Sequence, residues 1–193
     1  MKLKSLIPLI CIILMISFFS GCTSNNPNNG NNGPSWITTY TPVHSLGTGT
    51  DDFWTVYPEI NPKSGASVSH LDWVLNSLTE GCVLFVVHRT GCIGCQAQAD
   101  RVIGFAEQYQ GQVEFYDLDI ALGGAVEQQA YDAYVYDPDG EPGYIALTGI
   151  ITIFKDNGNR VFGWHSWEGN VADSDMEDWI KDGIYYYHVN KQE

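Results

Sequence analysis

The spacing of apolar positions changes along the chain, and each change predicts an element. From residue 68, Leu71, Val74, Leu75 and Leu78 recur at i, i+3, i+4 and i+7, a helix with one buried stripe that Gly81 stops. Cys82-Val83-Leu84-Phe85-Val86-Val87 is then apolar without alternation. A strand of that kind is covered on both faces, in the middle of a parallel sheet with helices on each side. A helix is expected directly after Cys92, with Cys95, Ala99, Val102, Ile103 and Ala106 on one face and Tyr109-Gln110-Gly111 at its end. Residues 113–118 read as a strand, 121–134 as a helix, and the Asp/Pro/Gly run 137–143 as a loop. Strands at 150–154 and 160–164 flank Asn157-Gly158, a hairpin-turn pair. A last helix over about 175–187 opens on the capping box Ser174-Asp175-Met176-Glu177. Upstream, residues 36–67 read as a loose N-terminal extension with one edge strand at 53–60. The order is β-α-β-α-β-α-β-β-α, which calls for crossover helices and then a hairpin with a closing helix.

The N-terminus has a different character. Lys2 and Lys4 precede an apolar run over 6–19 that ends in Phe19-Ser20-Gly21-Cys22, the layout of a secretory signal. Pro8 interrupts the run, which is shorter than the roughly 20 residues a membrane-spanning helix needs, so an uncleaved anchor is the weaker reading. Ser20-Gly21-Cys22 resembles the lipobox of prokaryotic lipoproteins, with Phe19 where an aliphatic residue is usual. The resemblance implies removal of residues 1–21 and a lipid on Cys22. The alternative is an ordinary signal peptide with a chance cysteine. The Asn/Gly/Pro tract that fills residues 22–35 buries no apolar surface and reads as a flexible tether. The expected location is the outer face of the cytoplasmic membrane. Loss of two lysines leaves seven Lys and Arg against 23 Asp and Glu, a net charge of −16, which excludes nucleic acid and anionic lipid surfaces as partners.

Of five cysteines, Cys11 falls in the signal and Cys22 at the lipid site, leaving Cys82, Cys92 and Cys95. Cys92-Ile93-Gly94-Cys95 lies where the central strand hands over to a helix. Unpaired N–H groups and the positive end of the helix dipole favour a thiolate there, and His88 and Arg89 just upstream add positive charge that tunes it further. Thiolate Cys92 can attack a disulfide, and Cys95 is near enough to resolve the product. Two other readings of C-x-x-C stand beside this one. One is half of a zinc site, although neither a second C-x-x-C nor an H-x₃₋₅-H occurs to complete it; the other is an inert structural disulfide.

With these elements and that motif, the chain from residue 68 to 193 resembles the thioredoxin family. Tyr116-Asp117-Leu118-Asp119 is similar to the family's strand ending in Asp, and Phe154-Lys155-Asp156-Asn157-Gly158 to its hairpin. The resemblance implies a thioredoxin-like α/β fold: a central mixed sheet, parallel strands plus a C-terminal hairpin, flanked by helices. It also implies thiol–disulfide exchange with exported proteins and a redox partner, with no cofactor beyond the Cys92–Cys95 disulfide and no metal. Three positions depart from the family. Gly91 stands for the tryptophan before the first cysteine, Val86 for the buried acid, and Gly149, after Thr148, for the cis-proline. His88 is then the nearby group able to replace the acid as proton acceptor. Thr148 and Gly149, with Tyr144 just before, are expected to pair with the backbone of a substrate. The rival class is a non-catalytic module of the same fold that binds a partner or a thiophilic metal at the dithiol.

Other residues read more simply. Cys82 is expected as a small buried thiol rather than a regulatory one, and His165 as a packed histidine rather than a metal ligand. Asp137, Asp139 and Glu141 lack EF-hand spacing and read as turn residues. Asp173, Asp175, Glu177 and Asp178 read as favourable charge at a helix N-terminus, and Tyr185-Tyr186-Tyr187 as partly core.

Overall fold

A computed structural model describes residues 33–59, 61–136 and 144–191. The signal segment, Cys22, most of the tether and the loop 137–143 lie outside the described residues. A 3₁₀ turn at Ser35–Thr39 leads to two short strands, β1 (Ser45–Leu46) and β2 (Asp52–Phe53), which pair parallel. There follow α1 (Asp72–Ser77), β3 (Cys82–His88), α2 (Ile93–Gln108), β4 (Val113–Asp119), a 3₁₀ turn (Ile120–Leu122) and α3 (Ala125–Tyr134). The chain closes with β5 (Leu147–Asp156), β6 (Asn159–Glu168) and α4 (Asp173–Asn190).

The fold is α/β, with a mixed four-stranded sheet in the order β4-β3-β5-β6 and helices on both sides. The unbroken apolar run of β3 has its expected consequence, for all seven of its residues are buried. β3 runs parallel to β4 and antiparallel to β5, so the central strand belongs to a mixed sheet and not to a wholly parallel one. Alternate residues of β3 serve different layers. Phe85 meets Trp73 near the start of α1 and Tyr134 at the end of α3, whereas Cys82 lies beside Gly183 of α4, on the face that α2 shares. The hairpin turns at Asn157, φ 48°, and Gly158, φ 81°.

Several expectations are corrected. The helix expected over 121–134 is divided at Gly123-Gly124 into a 3₁₀ turn and α3. The last helix begins at Asp173 with Ala172 as its cap, so Ser174 lies inside it and makes no capping box; its hydroxyl bonds the Asp175 carboxylate at 3.1 Å. The strand expected over 53–60 is reduced to Phe53 and two isolated bridges, one from Val56 to Ser67 and one at Trp54, which exchanges two backbone hydrogen bonds (2.8 and 3.0 Å) with Trp164 on the outer edge of β6. The extension is not loose either. Phe53, Trp54 and Tyr57 are core residues, because large aromatic side chains gain more from burial than a short irregular segment loses in freedom.

β5 begins three residues earlier than its apolar run suggested. Gly149 is therefore not the residue before the strand but a position within it, paired with Phe85 on one side and Ser166 on the other. Thr148 is likewise paired with Val86 and Trp167. With both edges of β5 occupied, neither residue has backbone free for a substrate chain. The cis peptide that precedes the strand joins Ile145 to Ala146.

Candidate functional site

The site begins with the turn that delivers Cys92 from β3 to α2. Gly91 has φ 84°, a left-handed conformation in which a tryptophan, or any residue with a Cβ, is strained. The open space around it shows that backbone angle, not crowding, selects glycine. Asp119, at the end of the neighbouring strand, holds this turn. Its carboxylate accepts from the Thr90 N–H at 3.0 Å, from the Thr90 hydroxyl, and from the Ala121 N–H at 2.9 Å. These donors favour the charged form and bring its pKa down to about 2.

Cys92 is the cap residue of α2, and its carbonyl accepts from the N–H groups of Cys95 (3.1 Å) and Gln96 (3.2 Å). Its sulfur is bonded to that of Cys95, with the Cα atoms 5.3 Å apart. The two differ in access: Cys92 is half-buried and Cys95 fully buried. Ile93 between them is 94% exposed, so the motif presents an apolar tip to solvent.

His88 ends β3 and is buried, with Nε2 2.6 Å from Asp117 Oδ1 on β4. Its Nδ1 is buried with no hydrogen-bond partner among the described residues. Asp117 thus orients the ring, and the free nitrogen is a polar atom in an apolar setting. Arg89 is exposed and makes no ion pair among the described residues. Tyr144 is also exposed, and its N–H donates to Glu168 Oε2 at 2.6 Å. Cys82 is a buried free thiol near the Gln112 carbonyl, and burial raises its pKa far above the ordinary value, which keeps it protonated and unreactive. His165 is packed between the rings of Trp54 (4.0 Å) and Trp179 (3.9 Å), as a core histidine.

The expected residues therefore divide. Cys92, Cys95, His88 and Arg89 sit at the strand-to-helix junction, whereas Thr148 and Gly149 lie inside the sheet. Sequence reasoning missed Asp117 as the partner of His88 and Gln98 as a buried polar residue of α2. The second carried a signal, since Gln98 is three positions after Cys95 and so shares its face. Among the described residues no group of three or more His, Cys, Asp or Glu side chains is placed to hold a metal ion. No protein-family model matches the chain, and no curated protein matches it.

Proposed function

We propose that the chain is an extracytoplasmic thiol–disulfide oxidoreductase of the thioredoxin-like type, acting through Cys92 and Cys95. The observation that carries this reading is the unequal pair: a half-buried cysteine capping a helix, bonded to a fully buried one a turn further in. The mixed sheet flanked by helices, with the pair after its central strand, is compatible with that fold. In the exchange, the Cys92 thiolate attacks one sulfur of a substrate disulfide and the other sulfur leaves as a thiolate. Cys95 then attacks Cys92 in the mixed disulfide and releases the second substrate sulfur. The substrate gains two electrons and the Cys92–Cys95 pair is oxidised; run backwards, the same steps oxidise a substrate dithiol. A redox partner restores the starting state. His88, held by Asp117 at the end of the strand that leads into the motif, is the proposed acceptor of the Cys95 proton.

Trapping tests this. Cys95→Ser is expected to accumulate mixed disulfides with exported proteins on non-reducing gels, and Cys92→Ser is not, because only the accessible sulfur attacks and only the buried one resolves. Equal trapping by both variants, or none by either, refutes the assignment and promotes the non-catalytic module.

The proposed place of work is the outer face of the cytoplasmic membrane, through a lipid on Cys22. Cys22→Ser is expected to abolish incorporation of labelled fatty acid. Continued labelling overturns that location.

A further inference from the structure

Beneath the dithiol, α2 carries a polar side chain where its buried face calls for an apolar one. Gln98 follows Cys95 by three positions, and both are fully buried on the same side of the helix. The Gln98 amide is held in a defined orientation. Oε1 accepts from the Val171 N–H at 3.0 Å and from Arg101 Nη1 at 2.9 Å, and Nε2 donates to Thr148 Oγ1 at 3.0 Å. Two donors on one end fix that end as oxygen, so the nitrogen must face Thr148. The Thr148 oxygen is thereby an acceptor, and its own hydrogen points elsewhere. Among the described residues nothing accepts that hydrogen.

Thr148 is fully buried, and a buried hydroxyl hydrogen without an acceptor is unfavourable. It is the cross-strand partner of Val86, on the face of the sheet that α2 covers, and its bond to Gln98 places it under the helix turn that begins at Cys95. In the disulfide the Cys95 sulfur is a poor acceptor, whereas as a thiolate it is a strong one.

We propose that Thr148, held by Gln98, donates a hydrogen bond to the Cys95 sulfur when the pair is reduced. This rests on reading Cys92 and Cys95 as a redox pair and gives that reading a direction. A donor satisfied only in the reduced state favours that state, so the pair is poised to take electrons, as an oxidant of exported dithiols. A neutral hydroxyl on β5 thus acts beside the β3 position at which Val86 supplies no polar group.

The test is equilibration with glutathione. Two glutathione thiols give up two electrons and form their S–S bond as the Cys92–Cys95 bond breaks, and their two protons pass to the cysteine sulfurs or to the medium. The equilibrium constant for reduction is expected to fall about fivefold to tenfold in Thr148→Val, tenfold being about 30 mV for two electrons, and to stay within twofold in Thr148→Ser, which keeps the hydroxyl. Because Thr148→Val leaves the Gln98 N–H unpaired, the double variant Gln98→Leu/Thr148→Val is measured beside it and is expected to show the same fall. A change below twofold in both valine variants, or an equal fall in Thr148→Ser, overturns the proposal. A crystal structure of the chemically reduced wild-type protein decides it without any variant: Thr148 Oγ1 within about 3.5 Å of Cys95 Sγ is expected, and a separation beyond about 4.5 Å refutes it. Failure of the underlying reading is seen separately, as wild-type protein that exchanges with neither glutathione nor a model disulfide while the reduced structure still shows the contact.

Discussion

At the scale of single residues, Gly149 shows how a position acquires meaning from its neighbours. An ideal Cβ built there lies 2.3 Å from the ring of Phe85, its partner across the β3–β5 pair. That ring is fully buried between Trp73 at 6.3 Å and Tyr134 at 5.4 Å, so it has no room to turn aside. Glycine is present because an aromatic ring fills the space above it. Gly149→Ala is accordingly expected to destabilise the protein by about 1–3 kcal/mol through overpacking, read as a lower urea midpoint with an unchanged slope. The exchange rate of the folded fraction should not change, since the residue does not face the sulfurs; a mutant with altered exchange and wild-type stability contradicts this. Gly91 is the opposite case, with open space and a restricted backbone angle.

At the scale of elements, α4 does more than cover the sheet. Its Asp182 is fully buried and accepts from the Tyr40 hydroxyl (2.7 Å), the Val43 and His44 N–H groups (3.1 and 2.7 Å) and His44 Nδ1 (2.7 Å). One carboxylate thus fastens the segment 40–44 to a helix about 140 residues away in sequence. Asp182→Ala leaves four donors without their acceptor, and a cost of about 3 kcal/mol is expected, with loss of hydrogen-exchange protection at the Val43 and His44 amides. Protected amides in the mutant would show that other contacts hold the segment. The elements from α1 to α4 were legible in the sequence because each carries its own period: the unbroken run of β3, the helical stripe of α2 and the Asn-Gly of the hairpin. The extension was not legible, because Phe53, Trp54, Tyr57 and Asp182 act through partners more than a hundred positions away or through an irregular segment with no period. The same limit applies at the site. Cys92 and Cys95 announce themselves by spacing, while Gln98 and Thr148 take their meaning from the bond between them.

At the scale of the whole molecule, three histidines, His165 buried and His70 and His188 half-buried, favour their uncharged form, and this sets how the protein responds to acid. His165, stacked between Trp54 and Trp179, has its pKa pushed down to about 3, chiefly by burial. His70, against Tyr134 and Phe162, is lowered to about 4 by the same cause, and His188 also to about 4. Each binds its proton more readily in the unfolded chain, near pH 6.5, than in the fold. Between about pH 6.5 and pH 4 the unfolded state therefore holds more protons, and stability rises with pH. The stabilisation is complete above about pH 6.5 and is lost as the pH falls. His165 alone is expected to contribute a loss of about 2 kcal/mol between pH 6 and pH 4, at up to 1.4 kcal/mol per unit. Asp119 adds little to this window, because above about pH 4 its carboxyl is ionised in the folded and the unfolded chain alike, and its contribution is lost only as the pH falls from there toward 2. The measurement is thermal or urea unfolding from pH 8 to pH 4: a plateau to about pH 6.5, then a steady decline that begins well above the carboxylate range. Stability that stays level to pH 4.5 would mean that the three rings accept protons in the fold as freely as in water, against the burial that Trp54, Trp179 and Phe162 impose on two of them.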